Sequence, residues 1–204
     1  MGCPEAMANV LRKDTRHKWN IKFVGESEAQ KLNSASLAGV DLYVQPGGGT
    51  INADWPKLTT TGQQAVRQYT EGGGNYLGLC LGGFFAGQFG NVGWGWIPGV
   101  GTYQGPKYAN REIVKTTWSG TTRYMWWEGG SHFGTTKPGT EVLGVHENGK
   151  AASVVVPAGA GEAAGIGPHG EADSSWYSKT ALRTDTDGFD HDLVLRVTDR
   201  LVDR

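Results

Sequence analysis

The sequence predicts an α/β domain, with a mostly parallel central sheet covered on both faces in its first half and a β-rich extension in its second. Three observations carry this prediction. Over the first ninety residues the apolar spacing alternates between helical and extended. Two short apolar runs, "VDLYV" and "NYLGL", open into glycine-bearing turns, as buried parallel strands do. From about residue 109 the helical spacing gives way to short segments joined by Gly and Asn-Gly turns.

The first element, "PEAMANVLRKDT" (4–15), predicts a helix, with Pro at its first position, Glu5 in the first turn and Ala6, Val10 and Leu11 on one face. "WNIKFVG" (19–25) alternates like a strand, with Trp19, Ile21 and Phe23 on one side. "GVDLYVQPGGGT" predicts a buried strand ending in the loop Pro46-Gly47-Gly48-Gly49. "TTGQQAVRQYTEGGG" predicts a helix whose apolar face is Ala65, Val66 and Tyr69 and whose stop is glycine. "NYLGL" is the next strand and "LGGFFAGQF" the helix after it. Beyond these, "NREIVKTTW", "TTRYMWWEGG", "EVLGVHENGKAASVVVPAG" and "GEAAGIGPHG" predict strands, and "GFDHDLVLRVTDRLV" a closing amphipathic helix with Leu193, Val197 and Leu201 in register. The chain opens on a helix where such folds open on a strand, so either a natural first strand lies upstream of Met1 or something else covers that sheet position; a secretion signal would likewise lie upstream.

Residues 1–204 are expected to form one domain, a length that buries a core without staples. A net charge of −1 gives no electrostatic footprint for nucleic acid or an anionic membrane. The longest apolar runs fall far short of the roughly 20 residues a membrane span needs. Two cysteines, Cys3 and Cys80, are too few for a disulfide framework and have no metal-ligand spacing, so no metal and no organic cofactor are expected. The 33 glycines, eight tryptophans and 19% charged residues point to tight turns and aromatic-lined surfaces, a composition common in secreted proteins.

The chemistry centres on Gly78-Leu79-Cys80-Leu81-Gly82. A G-x-C-x-G placed directly between a buried strand and a helix has the pattern of a nucleophile elbow, whose flanking glycines let strand, turn and helix approach closely. The thiol would stand at the carboxyl end of the sheet and at a helix N-terminus, which favours thiolate. The N–H of Leu81 offers half of an oxyanion hole, and Gly48 or Gly49 the other half. No Gly-Lys-Ser/Thr follows the glycine loop, which excludes a phosphate loop of that type. Of the five histidines, His169 is the candidate base because Glu171 lies two residues on; in an extended segment both share a side, so Glu171 can orient the ring. His132 is a rival base with no acid at a matching spacing. In "YMWWEGGSHF", Tyr124, Trp126, Trp127, Glu128 and His132 fall together as a candidate pocket wall, of which Trp127, Glu128 and His132 are taken as substrate contacts, with Phe84 beside the elbow. The competing reading of Cys80 is a buried structural thiol, of Gly47 to Gly49 a plain turn, and of the tryptophans a strand core.

The elbow, the upstream Pro46-Gly47-Gly48-Gly49 and the downstream His169-Gly170-Glu171 resemble, in that order, the elements of class I glutamine amidotransferases. The segments "VDLYVQPGGG", "GGGNYLGLCLGGFFAG", "RYMWWEGGSHF" and "GIGPHGEADSSWY" resemble more closely the amidotransferase-like domain at the N-terminus of eukaryotic biotin-protein ligases and in stand-alone proteins. The resemblance implies a flavodoxin-like three-layer sandwich and a Cys80-His169-Glu171 triad acting on a small-molecule or peptide amide. It departs at Gly83-Phe84, where glutamine-hydrolysing members carry His-Gln, and nothing like a biotin-ligase catalytic domain or a synthetase domain is present. The alternative function is an inactive binding or regulatory module on the same fold.

Overall fold

The computed structural model describes residues 2–105, 111–177 and 184–203. Helix α1 (Cys3–Arg12) starts after Gly2, whose carbonyl accepts from Ala6 at 2.9 Å, and has its proline in the first turn. A short helix α2 (Ser34–Leu37) is closed by a reciprocal cap in which the Asn33 side chain and Ser36 hydroxyl each accept from the other's backbone N–H. Strand β1 (Tyr43–Gln45) leads through the glycine loop to helix α3 (Ile51–Asp54), a 3₁₀ turn at Pro56–Leu58 and helix α4 (Thr59–Glu71). Strand β2 (Asn75–Leu79), helix α5 (Leu81–Ala86) and strand β3 (Gly101–Thr102) come next. Six more strands, β4 (Glu112–Trp118), β5 (Thr121–Trp127), β6 (Ser131–His132), β7 (Glu141–His146), β8 (Ala151–Ala158) and β9 (Gly161–Ile166), precede helix α6 (His191–Val202).

Seven strands form one sheet in the order β1-β2-β9-β8-β7-β4-β5, and β3 pairs with β6 apart from it. Parallel pairing is confined to β1, β2 and β9, and every other pairing in this sheet is antiparallel. The expected mostly parallel sheet therefore exists only at its first three strands. The reason is connectivity: β4 and β5, β7 and β8, and β8 and β9 are joined by tight turns, and a tight turn reverses the chain.

Strand alternation divides the core in two. Tyr76 of β2, Val154 and Val156 of β8 and Ala163 of β9 face α2, α4 and α5, packing with Leu37, Ala65, Val66 and Phe85. Their neighbours Leu77, Leu79, Val155, Ala164 and Ile166 face α1 and α6, packing with Met7, Val10, Leu193, Val197 and Leu201. Trp55, Trp94 and Trp96 close the first face around Tyr76 in edge-to-face and stacked contacts about 5 Å between centroids.

The expected strand at 19–25 is not formed. Trp19 and Ile21 pack partly buried against the α1/α6 core, but the Trp19 indole donates to Asp14 at 2.7 Å and Phe23 is exposed. That segment runs beside the sheet rather than in it, and only Val24 makes an isolated bridge, to Gln30. Among the described residues no helix is long and apolar enough to cross a membrane.

Candidate active site

Parallel pairing builds the site. Leu79 at the end of β2 is in register with Ile166 at the end of β9, so the segments leaving the two strands emerge side by side at one sheet edge. Cys80 comes directly after β2, and its N–H donates to the Ile166 carbonyl at 2.8 Å. His169 lies three residues past β9, and its N–H donates to the Trp126 carbonyl at 2.7 Å. The end of β5 thus backs both residues, and the Cys80 thiol donates to the Glu128 carbonyl at 3.6 Å.

The elbow is strained where the sequence predicts it. Cys80 has φ +49° and ψ −103°, a conformation side chains rarely adopt. A methyl group on Gly78 would run into the Gly82 backbone, and one on Gly82 would run into the Gln45 carbonyl of β1, so both flanking glycines are steric necessities. Two side chains brace the turn: the Tyr76 hydroxyl donates to the Gly82 carbonyl at 2.8 Å, and the Ser131 hydroxyl to the Cys80 carbonyl at 3.4 Å.

His169 and Glu171 are brought together by the extended spacing, with Nδ1 2.8 Å from Oε1. They are 3% and 0% exposed, and Cys80 is 7% exposed. With Nδ1 engaged by Glu171, Nε2 is the nitrogen left for Cys80. Burial works to depress the imidazole pKa, but the charges of Cys80 and then Glu171 outweigh it and hold the pKa well above the usual histidine value. Gly47 makes room for this ring, because a Cβ there would sit 2.8 Å from His169 Cε1. Trp176 covers the ring, their centroids 5.1 Å apart.

Cys80 and His169 border a cavity of about 580 Å³. Of the other sequence candidates, Leu81, Gly48, Gly49, Phe84 and Glu128 line it, and Glu171 lies buried behind the His169 ring. Leu81 opens α5, where helical geometry leaves its N–H without an intrahelical acceptor. Gly48 and Gly49 have φ of +123° and +45°. Glu128 pairs with Arg111 at 2.8 Å on the exposed rim. Trp127 and His132 do not line the cavity. Trp127 packs on the far side against Tyr103, and His132 meets the Lys150 ammonium at 3.1 Å.

Trp126, Trp176, Arg111 and Cys3 also line the cavity; of these the sequence offers only Trp126, as part of the candidate wall in "YMWWEGGSHF". Trp126 is findable, since two-residue alternation puts it, not Trp127, on the face of Glu128. Cys3 has no local signal, because only the packing of α1 brings it to the site. Its thiol pKa is pushed up to about 11, chiefly by burial and against the attraction of His169.

Residues 3–93 match the model of the family described as Biotin-protein ligase, N terminal. No curated protein matches the chain in sequence. Among solved structures, a cytoplasmic protein from Salmonella typhimurium LT2 is similar at TM-score 0.65 and 14% identity, over 99% of this chain and 88% of its own. A second cytoplasmic protein from Salmonella typhimurium is similar at TM-score 0.62 and 14% identity, over 98% and 87%. A glutamine amidotransferase is similar at TM-score 0.56 and 16% identity, over 70% and 77%. The chain thus has a class I glutamine amidotransferase-like fold.

Proposed function

We propose that this amidotransferase-like chain is a stand-alone cysteine-dependent hydrolase or transferase acting on the amide bond of a small molecule or peptide. The observation that supports it most is the buried 2.8 Å His169–Glu171 contact, its ring on the wall of the cavity that also holds Cys80 at its strained elbow. A structural thiol needs neither a buried imidazole beside it nor a buried carboxylate behind that imidazole.

In this reading His169 Nε2 takes the Cys80 proton and the thiolate sulfur bonds to the amide carbon. The carbonyl oxygen becomes an oxyanion facing the amides of Leu81 and Gly48 or Gly49. The C–N bond then breaks, His169 gives its proton to the departing amine, and a thioester remains. His169 next draws a proton from water or another acceptor nucleophile, which attacks the thioester and restores the thiol. Glu171 holds the ring in the tautomer with Nδ1–H and stabilises the imidazolium. Phe84, Trp126 and Trp176 supply an apolar wall, and Arg111 with Glu128 a charged rim. The finer fold reading, a flavodoxin-like three-layer sandwich, accords with the two helix-covered faces.

One observation favours a second reading, a binding or regulatory module without turnover. Gly83 and Phe84 stand where glutamine-hydrolysing members carry His-Gln, and Phe84 is buried against Phe89. A screen of amide and peptide substrates with wild type against Cys80→Ser separates the two. Turnover by wild type alone is expected; no turnover together with an unreactive Cys80 thiol overturns the enzyme in favour of the module.

A further inference from the structure

We propose that Cys3, His169 and Glu171 form a binding site for a soft divalent cation of the zinc type. The Cys3 sulfur, a ring nitrogen of His169 and a carboxylate oxygen of Glu171 lie within 4.8 Å of one another. A zinc ion holds such donors at about 2.0 to 2.3 Å, so donors already this close need only small side-chain movements to share one.

A second observation points independently to a ligand. Glu171 is 0% exposed, and while its Oε1 meets His169, its Oε2 has no hydrogen-bond partner among the described residues. A buried carboxylate oxygen without a partner is costly, and a cation beside it removes that cost. The donor set decides the kind of ion. Thiolate and imidazole select zinc-like metals over magnesium or calcium, which take oxygen ligands. Three protein donors leave the fourth tetrahedral position open for a water or another ligand, and two of the three residues, Cys3 and His169, line the cavity.

Binding releases the Cys3 proton and engages His169, which can then no longer serve Cys80. Metal occupancy would therefore silence the thiol site. That consequence rests on the proposed function; the binding itself does not.

The test titrates metal-free protein with Co²⁺, read by thiolate-to-cobalt charge-transfer absorption, and with Zn²⁺, read by equilibrium dialysis and elemental analysis. Circular dichroism confirms that each variant is folded. One ion per chain is expected. Cys3→Ser should abolish the charge-transfer band and weaken Zn²⁺ at least about tenfold, since even outer-shell changes cost that much. Glu171→Gln should weaken Zn²⁺ as well, whereas Cys80→Ser should keep both signals. No band in wild type, Zn²⁺ binding unchanged by Cys3→Ser, or a band lost in Cys80→Ser instead would overturn the site. Zinc binding by a chain whose Cys80 proves inert upholds the metal site and removes only the enzyme reading.

Discussion

The imidazole Nδ1 of His169 lies 2.8 Å from Glu171 Oε1, and both side chains are sealed from solvent. In water such a pair is worth little; buried beside a thiol, it fixes which ring nitrogen faces the sulfur. Glu171→Gln should therefore lower kcat by about 100-fold or more while changing KM little, because the lost function is tautomer control and charge stabilisation. Steady-state kinetics on any amide found in the screen checks it.

The elbow makes a prediction about stability. Gly82→Ala drives a methyl group into the backbone carbonyl of Gln45, which neither strand nor helix can yield cheaply. A cost of about 2 to 3 kcal/mol is expected, a fall in Tm of roughly 5 to 10 °C for a chain of this size. Thermal unfolding tracked by circular dichroism measures it.

His146 sets a pH dependence remote from the site. Its ring stacks on Tyr103 at 3.6 Å, and burial, then His132 and Lys150, push its pKa down to about 3. The unfolded chain takes up this proton near about pH 6.5 and the folded chain does not, so the folded state binds fewer protons between those values. Stability from this group is present above the unfolded value and is lost as pH falls toward 3, by on the order of 4 kcal/mol. Urea unfolding at neutral and acid pH should show the loss in wild type and a smaller one in His146→Gln.

The Arg111–Glu128 pair should matter for substrate and not for folding. Their side chains are 67% and 38% exposed, and such surface pairs contribute about 0 to 1 kcal/mol. Arg111→Ala should leave Tm within about 2 °C of wild type and raise KM for a substrate reaching the rim.

The features legible in the sequence are those that short-range sterics and alternation dictate. Gly78 and Gly82 announce the elbow because each touches backbone within the same strand-turn-helix unit or its neighbouring strand. His169 and Glu171 announce themselves by a two-residue spacing. Strand order escapes, because antiparallel extension from β9 to β5 depends on long-range pairing that apolar runs do not encode. Segment 19–25 has a strand's alternation, yet its apolar side is taken by α1 and α6 rather than by a sheet neighbour. Taking Trp127 rather than Trp126 as the substrate contact is an error of phase by one residue, which flips a side chain to the other face. The place of Cys3 requires the tertiary fold.

An activated Cys80 is tested most directly by the rate at which iodoacetamide alkylates it across pH, resolved from Cys3 by peptide mass spectrometry. An unassisted thiol reacts appreciably only near or above about pH 8.5. Rapid alkylation at about pH 6 is expected in wild type, with a loss of about tenfold or more in His169→Ala. Equal rates in the two proteins, or reaction confined to alkaline pH in both, would contradict a thiol activated by His169.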